Sequence, residues 1–332
     1  MNIKSTLESL LNRSSLDMAS AESLMSAIMS GDVSESQIAA LLVALRMKGE
    51  SVEELGGFVK AMRNAMKRLA LKVDAVDLCG TGGDGSNTFN VSTTASFVVA
   101  GAGLKVAKHG NRSISSKSGS ADVLQALNIP IDLDSHQVQK SIEENGLGFL
   151  FAPNYHPAMK YVMPARKSLK IRTVFNLLGP LCNPCGVQRQ VVGVFSKQWV
   201  LPLAKVLGEL GAEHVIVVYG LNGMDEFSMS ASSYYAEWHN NELKVQELNP
   251  EDLGLELADE KYFVGGDAKE NAKITIDILE GKKGFKRNMV LLNAAAAIRV
   301  GSGMSWQESL QIAERSIDSG MAMSVLKSLR GD

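Results

Sequence analysis

Hydrophobic positions in the first 70 residues recur at helical spacing. Ile38, Leu41, Leu42 and Leu45 form one stripe, and Leu55, Phe58, Val59, Met62 and Met66 form another. Each stripe follows a capping box, Ser34-Glu-Ser-Gln37 or Ser51-Val-Glu-Glu54, in which the first hydroxyl and the fourth side chain each satisfy an orphan amide. Gly31 and Gly49 stand where the preceding helices should stop. The pattern predicts a small helical bundle.

Near residue 74 the pattern changes, and short β-prone runs alternate with helical stretches. Val191-Val-Gly-Val-Phe195, a helix from Val200 to Leu210 closed by Gly211, and His214-Val-Ile-Val-Val-Tyr219 read as strand, crossover helix and strand. That unit predicts an α/β fold with a mostly parallel central sheet. Asp267 is placed to cap a helix ending at Leu279, and the alanine-rich run from Leu291 to Val300 reads as a buried helix. Residues from about 160 to 188, with Pro164, Pro180 and Pro184, read as a helical excursion between sheet elements.

Composition narrows the function. A chain of 332 residues is long for one core, so two lobes or one large α/β unit is expected. The formal net charge of −2 supplies no global field for nucleic acid or an anionic membrane, so an anionic ligand must be met by a local site. Three cysteines do not make a secreted disulfide framework, which fits a reducing cytoplasm. No signal-peptide pattern opens the sequence, and no apolar run reaches the roughly 18 residues of a membrane span.

Three polar clusters interrupt the apolar pattern. The first, Gly80-Thr-Gly-Gly-Asp-Gly85, lies between the apolar stretch Val76-Asp77-Leu78-Cys79 and a helix expected near Val91. Glycines there let the backbone turn its amides toward an anion at a helix amino terminus, which makes the loop a candidate phosphate cradle. It is no Walker loop, and its fit to G-x-G-x-x-G by spacing is weak by itself. The second cluster, Lys108-His-Gly-Asn-Arg-Ser113 followed by Ser118-Gly-Ser-Ala-Asp122, gathers donors suited to an oxyanion-rich ligand. The third is Asp225-Glu226, beyond the strand that ends at Tyr219. Adjacent carboxylates repel, and magnesium held by one or two carboxylates plus substrate phosphates is a natural remedy.

Together with Asn90-Val-Ser-Thr93, His156-Pro-Ala-Met159 and Arg172-Thr-Val-Phe-Asn-Leu-Leu-Gly-Pro180, these motifs resemble the anthranilate phosphoribosyltransferase family of tryptophan biosynthesis, in order and from end to end of the chain. The resemblance implies a nucleoside phosphorylase/phosphoribosyltransferase-type fold. A small all-helical domain over residues 1–70 would be joined, through about 160–188, to an α/β domain of residues 71–159 and 189–332. It implies binding of phosphoribosyl pyrophosphate by Gly80, Thr81, Gly82, Gly83, Asp84, Thr88, Asn90, Ser92, Thr93, Lys108 and Ser120. Gly80, His109, Asn111, His156, Arg166 and Pro180 would line the anthranilate path, with Arg166 gripping the carboxylate. Ser92, Asp225 and Glu226 would serve magnesium, two ions per subunit, and no residue stands out as a strong general base. A cytoplasmic homodimer formed through the helical domains is implied, without nucleic-acid or membrane partners. No fused amidotransferase motif accompanies these segments, so the chain is expected to use anthranilate made elsewhere.

Two other readings stay open at this level. A pyrimidine nucleoside phosphorylase would share the architecture and a phosphate loop, although Asp225-Glu226 and Lys108-His-Gly-Asn-Arg112 favour loss of pyrophosphate. A silent relative that binds nucleic acid would need a basic face, which the charge balance does not favour. Cys182-Asn-Pro-Cys185 has no second ligand pair for zinc. His136, His214 and His239 lack a surrounding motif, and Met18, Met25 and Met29 suit helix packing.

Overall fold

The computed structural model describes residues 2–113 and 117–332. Helices Ile3–Leu11, Met18–Ser30, Glu35–Lys48 and Val52–Ala65 form the amino-terminal bundle. Both expected capping boxes are present, and Gly31 and Gly49 close their helices at positive φ. Met25 and Met29 are buried in this bundle, and Met18 lies against Gly56. Val162, Ala165, Val174, Phe175, Leu178 and Leu181, from the segment between sheet elements, share the bundle's apolar core.

Seven strands follow: β1 (Val76–Gly80), β2 (Val106–Gly110), β3 (Leu147–Phe151), β4 (Arg189–Gly193), β5 (His214–Gly220), β6 (Ser233–His239) and β7 (Glu242–Leu248). Their order is β3-β2-β1-β4-β5-β6-β7. The first five are parallel, whereas β5/β6 and β6/β7 pair antiparallel. This closing hairpin is absent from the sequence-based reading. Its two-residue turn, Asn240-Asn241, holds both residues at positive φ, a conformation that asparagine tolerates better than most residues.

Alternation along β1, β4 and β5 divides those strands between two cores, and Ala107 of β2 and Leu150 of β3 pack in a third, smaller cluster. Val76 and Leu78, Val191, and Ile216 and Val218 pack on one face with the helices Val91–Gly101 and Phe285–Ser302. Val192, Val215 and Val217 pack on the other with the bundle and the helix Val200–Glu209. The helix through the alanine-rich run is buried along most of its length, as its composition predicts.

From β1 the chain moves outward to β2 and β3, then returns to lay β4 on the opposite side of β1. The crevice at the carboxyl ends of β1 and β4 is therefore the topological switch point, where open α/β sheets collect ligands. Gly80 and Gly193 face each other there in register. A Cβ on Gly193 would lie 1.5 Å from the main-chain oxygen of Asp225, so the loop after β5 sits directly on the strand. Gly193→Ala should accordingly lower the unfolding free energy by about 2–3 kcal/mol through overpacking against backbone. Urea denaturation measures this, and a change within error of zero would mean that the loop moves freely.

Candidate active site

The loop after β5 carries the acidic pair and is pinned on both sides of it. The Gly220 N–H donates to the Met224 carbonyl at 2.9 Å. Beyond the pair, buried Asn293 accepts from the Phe227 N–H at 2.9 Å and donates to the Phe227 carbonyl at 3.0 Å. Met224 and Phe227 are buried in the core. With both flanks fixed, Asp225 and Glu226 turn back toward the glycine loop.

Asp225 Oδ2 accepts from the Gly82 N–H at 2.6 Å, and the Asp225 N–H reaches Asp84 Oδ2 at 3.3 Å. A Cβ on Gly80 would stand 2.3 Å from Asp225 Oδ2. Glu226 Oε1 accepts from the Ser92 N–H at 3.2 Å, in the first turn of the helix Val91–Gly101. Burial, with Asp84 and Glu226 as like-charged neighbours, pushes the Asp225 carboxyl well above the usual carboxylate range. Burial likewise raises Glu226 to about 7, against the pull of Lys108. Such carboxyls ionise readily only if positive charge joins them. Among the described residues no three His, Cys, Asp or Glu side chains surround an ion. Two hard-oxygen carboxylates that need further oxygen ligands from substrate fit magnesium.

The glycine loop supplies the complementary surface. Gly82, Gly83 and Gly85 have φ of 69°, 72° and 82°, the left-handed region that only glycine enters cheaply, and such turns direct amides into a shared concavity. Thr81 ties the loop to β4: its N–H donates to the Gly193 carbonyl at 2.9 Å, and its hydroxyl accepts from the Phe195 N–H at 3.0 Å. The hydroxyl hydrogen stays available to a ligand. Lys108 is buried, with Nζ donating to the Leu78 carbonyl at 2.7 Å and lying 3.4 Å from Ser92 Oγ. Burial lowers its pKa, opposed by Asp77, Cys79 and Glu226. Asn90 donates to the Ser118 carbonyl at 3.2 Å, linking this helix start to the Ser118–Ser120 turn. Ser120 Oγ donates to the Asn111 carbonyl at 3.2 Å, Thr93 is buried, and Thr88 bridges to Val264.

His109 follows Lys108 on β2 and so points to the opposite face. Its ring lies 5.1 Å from that of His156, centroid to centroid. His109 bonds to the Gly179 carbonyl and His156 to the Cys182 carbonyl, while both Nε2 atoms are buried without partners among the described residues. Burial, with His156 and Lys108 nearby, lowers His109 to about 3, and burial lowers His156 to about 4. Both rings are therefore neutral at ordinary pH, with Nε2 as a hydrogen-bond acceptor. Pro180 is buried in the turn that carries Gly179. Arg166, on the helix Met163–Leu169, places its guanidinium 5.7 Å from the Phe175 ring centroid, and burial lowers its pKa. It has no carboxylate partner among the described residues, unlike an ordinary surface arginine. Asn111 turns its amide oxygen back to the Arg112 N–H at 2.8 Å.

Cys182 and Cys185 lie in different apolar clusters, and burial pushes both thiols up to about 12, which suits neither zinc nor redox work. Four supporting roles escaped the sequence-based reading. Asn293 clamps the acidic loop, and Asn271 donates to Asn90 Oδ1 at 2.9 Å. The Arg172 guanidinium donates to the Gly83 carbonyl, and Asp77 joins β1 to both its neighbours. The visible signal for Asn293 and Asp77 is a polar residue within an apolar run.

Two family models match: the glycosyl transferase family helical bundle domain over residues 4–66, and the glycosyl transferase family a/b domain over residues 72–323. An anthranilate phosphoribosyltransferase of Rhodopseudomonas palustris is 50% identical over 330 residues, covering 99% of this chain and 98% of that one. The crystal structure of anthranilate phosphoribosyltransferase from Thermus thermophilus superposes with a TM-score of 0.93 at 39% identity, covering 98% of each chain. The Saccharomyces cerevisiae enzyme in complex with phosphoribosyl pyrophosphate and magnesium gives 0.89 at 31% identity, over 99% of this chain and 97% of that one. In complex with 4-fluoroanthranilate it gives 0.89 at 30% identity, over 99% and 96%. With its acidic loop seated on a glycine cradle at the switch point, and with relatives this similar along its whole length, the chain belongs to the anthranilate phosphoribosyltransferase family.

Proposed function

We propose that the chain transfers the phosphoribosyl group of 5-phosphoribosyl 1-pyrophosphate to the amine of anthranilate, giving N-(5-phosphoribosyl)anthranilate and pyrophosphate. The observation that carries this reading is the half-buried Asp225-Glu226 pair held against the glycine loop, with neutral His109 and His156 on the other face of β2. The first feature suits an anionic donor with a divalent cation. The second suits an uncharged aromatic amine.

The donor would lie on the amides of Gly80 to Asp84, with Thr88, Asn90, Ser92, Thr93, Lys108 and Ser120 around it. Magnesium, held by Ser92, Asp225 and Glu226 and numbering two per subunit in this reading, supplies positive charge that offsets the negative charge on the leaving pyrophosphate. Lys108 adds a fixed cation and the loop adds oriented amides, which cost no reorganisation as charge develops. Displacement at an anomeric carbon passes through an oxocarbenium-like state, so leaving-group stabilisation is the main lever.

For the acceptor, His109, Asn111, His156 and Pro180 would form the walls of the path, with Arg166 at the carboxylate. Rings with pKa values of about 3 and about 4 are weak bases. They suit holding an N–H in place better than removing a proton beforehand, and positioning is what a weakly nucleophilic amine needs. The domain division at about residue 70, with 160–188 as the joining helical segment, is supported by the change of pattern from helices to strands there, although one apolar cluster runs across it from the bundle through 162–182 to one face of the sheet. We place the enzyme in the cytoplasm as a homodimer through its helical domains, where Leu11 and Met47 are 61% and 78% exposed. No helix among the described residues is long and apolar enough to cross a membrane.

Mixing protein, magnesium, donor and anthranilate should quench anthranilate fluorescence, and omission of any one component should abolish the change. Turnover of thymidine or uridine with phosphate, without this reaction, would favour a nucleoside phosphorylase instead. Arg166→Ala should raise KM for anthranilate about 10- to 100-fold, the worth of a charge-assisted pair, and move KM for the donor less than about twofold. Equal changes in both constants would remove Arg166 from the carboxylate. The double variant Asp225→Ala/Glu226→Ala should fold normally and lose about three orders of magnitude in kcat, with magnesium titration no longer restoring the rate. A near-normal rate would end the metal assignment.

The histidines also predict a stability profile. Their folded pKa values, about 4 for His156 and about 3 for His109, lie below the ordinary 6.5, so the unfolded chain takes up protons first. Stability contributed by the neutral rings is complete above about pH 6.5 and is lost as pH falls through the folded values. Each ring contributes a slope of at most about 1.4 kcal/mol per pH unit in that window. His109→Gln should flatten the acid limb by about 1 kcal/mol per unit in urea titrations between about pH 6 and pH 4.5. An unchanged slope would mean that the ring is protonated in the folded enzyme.

A further inference from the structure

Asp77 is fully buried in β1, an interior strand of the sheet, on the same face as His109 and Gln190. Its carboxylate is an acceptor-only group that takes three donors from three parts of the chain. Oδ1 accepts from the His109 N–H on β2 at 3.2 Å. Oδ2 accepts from Asn183 Nδ2 at 2.8 Å and from Gln190 Nε2, on β4, at 3.3 Å. Asn183 Nδ2 also donates to the Ala107 carbonyl at 2.8 Å, and its Oδ1 accepts from the Cys185 N–H at 2.9 Å. Gln190 Nε2 donates onward to the Pro180 carbonyl at 2.7 Å.

The network ends on the turn of residues 179–183, whose Gly179 and Cys182 carbonyls orient the rings of His109 and His156. Asp77 thus holds His109 at its main chain and, through Gln190 and Asn183, holds the turn that fixes both rings. Its charge is opposed by Lys108, the neighbour of His109 on β2. Burial raises the Asp77 carboxyl, and its acceptor bonds together with Lys108 act the other way. A buried acid is costly to retain where a neutral side chain would pack, so its presence calls for a reason.

The reason is direction. An amide in place of the carboxylate would turn an NH2 toward the NH2 groups of Asn183 and Gln190, or lose the bond to His109. Relieving that clash by flipping Gln190 gives up the Pro180 carbonyl, and flipping Asn183 gives up Ala107 and Cys185. Only an acceptor at both oxygens keeps every member of the network satisfied.

We propose that Asp77 is a positioning residue of the acceptor subsite: it sets the orientation of the His109–His156 pair, and through them the placement of the aromatic amine. The inference rests on the assignment of those histidines to the anthranilate path. Asp77→Asn should raise KM for anthranilate about tenfold or more while KM for the donor changes less than about twofold. Gln190→Ala removes the Pro180 branch, with the Gln190 bonds to Asp77 and Cys79, and leaves those of Asp77 to His109 and Asn183; it should give the same selective effect at about three- to tenfold, so the prediction survives if Asp77→Asn does not fold. Imidazole nitrogen shifts of His109 and His156, assigned by comparison with His109→Ala and His156→Ala, should move in both positioning variants, a change that simple loss of stability in folded protein would not cause.

If His109→Ala leaves KM for anthranilate unchanged, the acceptor assignment fails and this inference fails with it. If His109→Ala raises that constant, yet Gln190→Ala and folded Asp77→Asn change both substrates equally or leave the imidazole signals in place, the positioning role alone is overturned. Selective loss of anthranilate affinity with shifted imidazole signals in Gln190→Ala or Asp77→Asn supports it.

Discussion

An acidic loop lies on two glycines, and the rest of the site depends on that contact. Gly80 and Gly193 end adjacent strands without side chains, so Asp225 can approach both backbones at the crevice between them. From this one approach follow the bond from Gly82 to Asp225, the reach of Glu226 to the start of the next helix, and the concentration of negative charge beside an amide-lined turn. A methyl group on either glycine would occupy space already taken by Asp225. Glycine is needed here for close approach at Gly80 and Gly193, and for left-handed geometry at Gly82, Gly83 and Gly85.

Two adjacent, desolvated carboxyls are disfavoured as anions until positive charge arrives, which in the proposed function is magnesium brought with the donor. The same loop illustrates why the scaffold is rigid around it. Asn293 commits its whole amide to the Phe227 backbone and the preceding turn of its own helix. Asn271 plays a comparable part for Asn90 from another helix. These asparagines sit within or beside apolar cores, where an unpartnered amide would be costly, so each holds one geometry.

Adjacent residues on β2 divide the chemistry between the two faces of the sheet. Lys108 is buried toward Ser92 and the Leu78 carbonyl and His109 toward His156, a consequence of the two-residue period of a strand. Asp77 lies one strand away and touches the His109 backbone while its charge opposes that of Lys108. A buried lysine and a buried, neutral histidine are thereby presented on opposite faces of the sheet by consecutive residues. Neutral imidazoles beside a buried ammonium are the expected result, since desolvation and the nearby positive charge both disfavour a second cation.

Much of this was legible in the sequence. Helical periodicity with two capping boxes specified the bundle, and the run from Val191 to Tyr219 specified a parallel crossover, because these signals are local. The motifs named the polar clusters at 80–85, 108–113 and 225–226. What the sequence left out are partners distant along the chain. The antiparallel hairpin at Ser233–Leu248 carries turn asparagines but no apolar alternation strong enough to announce it, since β7 is largely exposed. The roles of Asp77, Asn271 and Asn293 depend on which strands and helices become neighbours, and Asp77 reads in one dimension as an exception within an apolar stretch. Sequence determined the elements and the chemical groups they carry; tertiary structure alone decided which carboxylate meets which amide, because hydrogen bonds across the switch point join residues more than a hundred positions apart.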